Sequence, residues 1–356
     1  MSPRLVFNEA LDDQVVNLIA ACGVSPNADL VKDIIHTALR AVIDGTDRGD
    51  LKILSRALRE LRYAFKVFAP YKDRRKISIF GSARTSEGEP IYAYAAEFGK
   101  RIADAGFMVI TGAGEGIMEA GHRGAGRDRS FGLNIRLPFE QAPNEVIEND
   151  PKLILFHYFF TRKLFFVKEA DGLVFFPGGF GTNDEAYESM TLVQTGKSEM
   201  VPLVMLDVPG GTYWREWEGF VSDHLVRRGL IAPEDLSLFT VTDSIDAAIG
   251  EIERFYRVYH SSRYVHDALV LRLTAHLPPE TVEALNDSFS DILTEGRIES
   301  AHAFPEEANE PQTFHLPRLV FRFNRKRFGR LRQLIDAVNR APVTPEAHHA
   351  IRTPGG

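Results

Sequence analysis

A chain of 356 residues, 44% hydrophobic and 26% charged, can bury a sizeable core as one large domain or two to three smaller ones, and its net charge of -7 supplies no global field to recruit nucleic acid. Cys22, the single cysteine, excludes an intramolecular disulfide and a thiolate zinc cluster and fits a reducing compartment. The opening MSPRLVFNEALDDQ lacks a signal-peptide stretch and no apolar run is long enough for a membrane span, so a cytoplasmic protein without membrane attachment is expected.

Apolar residues at three-to-four spacing predict helices through LDDQVVNLIAAC, ADLVKDIIHTALRAVID and DLKILSRALRELRYAFKVFAPY, giving a helical N-terminal region over residues 1–70. The pattern then changes. KISIF, FMVITG, FGLNIRLP, KLILFHYF, GLVFFP, VPLVMLD and LSLFTVTD read as strands, and helical stretches lie between most of them. The last of these, SIDAAIGEIERFYRVYH, reads as helix to its end. Short strands alternating with helices predict an α/β fold, a doubly wound and mostly parallel sheet covered on both faces, over residues 71–260. A small α+β region follows over 261–340, with one strand in YVHDALVLRLTAHLP, a helix through PETVEALNDSFSDILTEG, a strand in HLPRLVFRFNR and a final helix. Residues 341–356 read as a flexible tail.

Two glycine-rich loops follow strands. In ITGAGEGIMEAG, Gly112, Gly114 and Gly116 stand two apart before a helix, where small residues allow tight turns and helix-terminal N–H groups can take a phosphate. The dinucleotide fingerprint is incomplete and no Walker lysine is present, so plain strand-to-helix geometry stays open beside nucleotide contact. In PGGFGTNDE, Gly178, Gly179 and Gly181 precede Thr182, placed where the helix should begin. Thr182 and Glu185 have capping-box spacing, in which Glu185 would serve only its own helix start. Three glycines exceed what a cap needs, which favours a ligand.

Upstream, Arg162 and Lys163 open a helix of Phe, Leu and Val. They are either rim charges snorkelling off a buried helix or part of a site at the sheet's carboxyl edge, where open α/β sheets bind ligands. Phosphate acceptors, an arginine and a carboxylate together suit cleavage of a phosphorylated sugar derivative. Paired metal-ligand spacing is lacking around His122 and His157, so no metal and no cofactor is expected. Arg318 to Arg332, RLVFRFNRKRFGRLR, contains no acidic residue and reads either as a solvated charged face or as a contact for an anionic effector. Nucleic acid is disfavoured by the negative total charge.

PGGFGTNDE matches the P-G-G-x-G-T-x-x-E signature, and by it the chain resembles the LOG family, proteins also described as "possible lysine decarboxylase". FGSARTSEGEP through HRGA, LPFEQAPN and the basic pair of FTRK add matches in the expected order, over about residues 74 to 250. A longer bacterial relative, the pyrimidine/purine nucleotide 5'-monophosphate nucleosidase, also carries flanking regions around such a core. The resemblance implies a Rossmann-like domain that hydrolyses nucleoside 5'-monophosphates to free base and ribose 5-phosphate.

It also implies that Arg162 and Glu185 are catalytic. Substrate binding is implied for Ser82, Gly112, Gly114, Glu115, Lys163, Gly178, Gly179, Gly181 and Thr182. Glu140, Gln141 and Asn144 of LPFEQAPN line the base or ribose by the same resemblance, unless that loop only holds itself. Ala113 and Glu115 depart from the plain triple glycine common in the family, and GTNDE replaces the commoner GTLEE. The chemistry agrees: charge developing at C1' is stabilised by a carboxylate, and an arginine fork grips an oxygen or phosphate. AMP is the leading substrate on this reading and a cytokinin riboside 5'-monophosphate the alternative. A nucleotide or molybdenum-cofactor carrier of similar fold is a third reading. A pyridoxal-phosphate decarboxylase lacks a singled-out lysine, and an NAD dehydrogenase lacks its fingerprint. A homo-oligomer, at least a dimer, is expected.

Overall fold

The computed structural model describes residues 9–23, 25–137 and 142–343. Contacts divide the chain between Tyr63 and Ala64. The described residues up to Tyr63 form α1 (Glu9–Ala21), α2 (Ala28–Ile43) and most of α3 (Arg48–Phe68). Lys32 on α2 reaches Asp12 on α1 at 2.6 Å.

The second unit begins with β1 (Lys76–Phe80), α4 (Pro90–Asp104), β2 (Met108–Thr111), α5 (Ile117–Ala125), β3 (Ser130–Ile135) and β4 (Leu153–Phe156). It continues with α6 (Phe159–Lys168), β5 (Gly172–Phe175), α7 (Phe180–Gln194), β6 (Leu203–Leu206), α8 (Tyr213–Phe220), β7 (Phe239–Thr242) and α9 (Ile245–Phe255). The seven strands form one parallel sheet in the order β4-β3-β2-β1-β5-β6-β7. β1, β2, β5 and β6 are buried at every position, which is why β2, β5 and β6 read as near-continuous apolar runs; in β1 the alternate Lys76 and Ser78 are buried as well. The chain winds outward from β1 to β4, then crosses back to place β5 on the other side of β1. The loops after β1 and β5 therefore diverge at a topological switch point, where such sheets open a crevice.

A second, antiparallel sheet has the order β10-β11-β9-β8, from β8 (Tyr259–Val265), β9 (Ala268–Leu273), β10 (Leu293–Ala301) and β11 (Arg318–Phe323), with α10 (Pro279–Phe289) and α11 (Phe328–Arg340). Here the sequence reading needs correction. YVHDALVLRLTAHLP holds a hairpin, not one strand, and the preceding segment leaves its helix at Phe255 and is β8 from Tyr259. β10 occupies what reads as the end of a helix. Both missed strands are edges with mostly polar, part-exposed residues, so neither carries an apolar alternation to detect. The tail lies outside the described residues from 344 on. Among the described residues no helix is long and apolar enough to cross a membrane.

The basic segment is a solvated face only in part, at the exposed Arg322, Arg325 and Lys326. Arg318 and Arg332 are fully buried, and carboxylates from elsewhere in the chain meet most of its arginines: Glu307 for Arg318, Glu295 for Arg322, Glu234 and Asp291 for Arg327, Asp291 for Arg330, Glu251 for Arg332. Glu307, 1% exposed, accepts from Arg272 Nη2 at 2.7 Å, Arg318 Nη2 at 3.3 Å and Phe304 N at 3.1 Å. Burial opposes its ionisation, but the Phe304 N–H and both guanidiniums outweigh burial and hold the carboxyl at about 2. Glu307→Ala would leave the buried Arg318 without a carboxylate and Arg272 with Glu310 alone, and should cost about 3–5 kcal/mol, read as a fall in thermal midpoint. Because this pKa is depressed, the contribution is present above the unfolded value and is lost as pH drops toward 2.

Candidate active site

Three backbone turns and the end of one strand meet at the carboxyl edge of the central strands. Gly81 and Ser82 follow β1, Gly112 follows β2, β3 ends through Asn134 and Ile135, and Gly178 to Gly181 follow β5. They wall a cavity of about 800 Å³. At several of these glycines the packing leaves no room for a side chain, whereas Gly179 and Gly181 face open space. A Cβ at Gly81 would lie 2.6 Å from Ile117, one at Gly178 would strike the Thr182 hydroxyl, and one at Gly112 would strike the Arg162 guanidinium. Gly116, at φ 66°, is the N-cap of α5 and faces the Ser82 carbonyl.

The capping-box reading of Thr182 and Glu185 is corrected by the helix start. α7 begins at Phe180 with Gly179 as N-cap and no side-chain cap. Thr182 and Glu185 therefore lie inside the helix, where Glu185 cannot serve its first N–H groups. The first return bond runs from Asn183 N to Gly179 O at 3.1 Å, so the N–H groups of residues 180, 181 and 182 have no helical partner. These donors and the positive helix end face a cavity bordered by the buried Thr182 hydroxyl.

Arg162, on the first turns of α6, lies across the cavity floor. Its Nε donates to Leu133 O at 2.7 Å and its Nη2 to Gly112 O at 3.4 Å. Two carbonyls from neighbouring strands thus aim the guanidinium. Burial brings its pKa down to about 10, against the opposing attraction of Glu185, so it stays charged at neutral pH. Glu185 is 9% exposed; burial pushes its carboxyl up to about 7, although Lys163 and Arg162 pull the other way. A carboxyl that titrates near neutrality and a cation thus share one wall of the cleft.

Ser82, Gly112, Arg162, Gly178, Gly179, Gly181, Thr182 and Glu185 line the cavity. Gly114, Glu115, Asn144 and Lys163 do not. Asn144 is buried behind the second turn, where its Nδ2 donates to Gly114 O at 2.9 Å and its N donates to Ala113 O at 2.8 Å. His122, fully buried, bridges Thr111 Oγ1 and Phe131 O at 3.0 Å each and meets Asn144; burial lowers its pKa to about 4, so it is neutral. Together they brace Ala113, which adopts φ 61° without being glycine. Lys163 points outward to Asp184 at 2.6 Å and Glu188 at 2.5 Å, with Glu185 at 3.9 Å. Glu140 and Gln141 lie outside the described residues. Sequence reading missed Asn134 and Met118 as lining residues. A lone asparagine in an apolar strand was the available signal for Asn134.

Fold and crevice define a doubly wound α/β protein with a glycine-walled, anion-compatible cleft at its switch point. Residues 112–252 match the family model described as "Possible lysine decarboxylase". A "probable cytokinin riboside 5'-monophosphate phosphoribohydrolase" of Oryza sativa subsp. japonica is 24% identical over 205 residues, 56% of this chain and 78% of its own. The cytokinin riboside 5'-monophosphate phosphoribohydrolase of Mycobacterium tuberculosis is 24% identical over 180 residues, 49% of this chain and 90% of its own. Among solved structures, the molybdenum cofactor carrier protein of Chlamydomonas reinhardtii aligns over 51% of this chain and 97% of its own, at 21% identity and a TM-score of 0.36. The region 112–252 belongs to the LOG, or phosphoribohydrolase, family.

Proposed function

We propose that this protein hydrolyses the N-glycosidic bond of adenine-class nucleoside 5'-monophosphates, with cytokinin riboside 5'-monophosphates favoured and AMP second. The observation that carries the reaction is the union, in one crevice, of unpaired helix-start N–H groups, the anchored Arg162 and a Glu185 whose carboxyl titrates at about 7. The order of substrates is the reverse of the sequence reading. It is supported by the activity that both relatives carry in their names.

On this reading the 5'-phosphate occupies the start of α7, and binding there holds the sugar remote from the reacting bond. The bond from C1' to the base nitrogen breaks, and its electron pair leaves with the base. Glu185 stabilises the positive charge on the ribose and takes a proton from the water whose oxygen bonds to C1'; that proton ends on the departing base nitrogen, which restores the carboxylate. Arg162 grips a ribose or phosphate oxygen. Products are the free base and ribose 5-phosphate. The decarboxylase description fits less well. A Schiff-base lysine needs a lowered pKa, whereas Lys163, despite burial, is raised by its bonds to Asp184 and Glu188.

Chromatography of reactions with N6-isopentenyladenosine 5'-monophosphate, AMP, GMP, CMP, UMP and adenosine tests the proposal. Free base should appear from the N6-substituted nucleotide and from AMP, and none from adenosine, which lacks the phosphate. Inertness of folded protein toward every nucleotide would overturn it. Tight binding without turnover would then favour a carrier.

A further inference from the structure

The PGGFG turn carries a second layer of contacts that the proposed reaction does not use. Tyr213 opens α8, behind the cleft, and does not line it. Its hydroxyl donates to Gly178 O at 2.6 Å and accepts from Asn183 Nδ2 at 2.8 Å. The second amide hydrogen of Asn183 is positioned for Gly179 O, at 3.1 Å. Tyr213 is itself fixed at the root, because its backbone N donates to Asp207 Oδ2 at 3.1 Å, and Asp207 is buried against Gly211. A ring contact with Trp214, at 4.8 Å between centroids, holds its plane.

We infer that Tyr213 and Asn183 form a clasp that sets which way the Gly178–Gly179 peptide faces, making Tyr213 a positioning residue for the 5'-phosphate. In a trans peptide the carbonyl and the N–H point to opposite sides of the chain. Holding Gly178 O toward Tyr213 therefore turns the Gly179 N–H away from Tyr213, toward the phosphate end of the crevice. A peptide between two glycines has little intrinsic preference between the two orientations, since glycine tolerates either sign of φ. The clasp supplies the preference from outside. It also accounts for the asparagine at 183 where the commoner family sequence has leucine, which could not donate.

The inference rests on the proposed nucleotide site, so its test is a binding measurement that needs no turnover. Tyr213→Phe removes one hydroxyl and leaves the ring. Calorimetric titration should show AMP and ribose 5-phosphate weakened about 5- to 10-fold, the scale of one lost hydrogen bond, with adenosine binding unchanged. In turnover assays KM should rise by the same factor with kcat nearly constant, a split that general loosening of the fold would not give. Adding Asn183→Leu to Tyr213→Phe should weaken AMP little further, because both changes open one clasp. Unchanged affinity for AMP and ribose 5-phosphate in Tyr213→Phe would overturn the clasp, as would a wild type that binds neither ligand. A wild type that binds AMP without hydrolysing it would sink the proposed reaction alone, and the affinity ratio would still decide the clasp.

Discussion

Glu185→Gln is expected to lower nucleoside monophosphate hydrolysis by roughly 10²-fold or more while AMP still binds, the scale of a lost transition-state electrostatic contact. Glutamine keeps the shape of the side chain and removes only the charge and the basic oxygen. Helix capping no longer competes as an explanation, since α7 starts at Phe180 and Glu185 lies beyond its first turn. A pH profile adds an independent mark. Burial in the crevice lifts the carboxyl from its ordinary 4.5 to about 7, so the carboxylate required for catalysis is lost as pH falls through 7. For the wild type, kcat/KM should drop about tenfold per unit below that point, a limb that reports the free enzyme. Any residual rate of Glu185→Gln should lack the limb. Near-normal turnover in the variant would remove Glu185 from the chemistry.

Arg162→Lys should reduce kcat/KM by roughly 10- to 100-fold although the charge is conserved. The guanidinium is held by two carbonyls at once, Leu133 O through Nε and Gly112 O through Nη2, and it lies over the Phe166 ring at 5.0 Å. Lysine has no donor at the Nε position. Its ammonium would have to choose among Leu133 O, Gly112 O and the substrate. The same cation acts on Glu185 through space, so the two variants are linked. In Arg162→Lys the acid limb should stay near 7; in Arg162→Gln, with the charge gone, it should move upward. A thermal midpoint near that of the wild type would show that the loss belongs to the site. Full activity in Arg162→Lys would reduce the arginine to a structural brace.

The central sheet was legible because its strands are buried on both faces: GLVF and LVML have no polar face to obscure the signal. β8 and β10 were not, because edge strands with exposed, polar positions resemble loop or helix in one dimension. The crevice was legible at its glycines, which three close approaches demand. Its depth was not: spacing cannot tell Asn144, which braces the turn from behind, from Gly112, which faces the cavity. Nor can it tell Lys163, tied to Asp184 and Glu188, from Arg162 beside it in the chain. Successive residues of a helix point about 100° apart, and only packing says which direction is the site.

Local sequence by itself determined the parallel core, the two glycine turns and the family signature, because backbone sterics and apolar periodicity act over a few residues. Only the tertiary structure decided the rest. It moved the start of α7 ahead of Thr182, which freed Glu185 from a capping role, and it buried Glu185 beside Arg162. It matched Arg318, Arg327 and Arg332 with carboxylates from other elements, turning much of an apparent basic stripe into internal ion pairs. Burial and charge pairing depend on residues far apart in the chain, so no local window contains them.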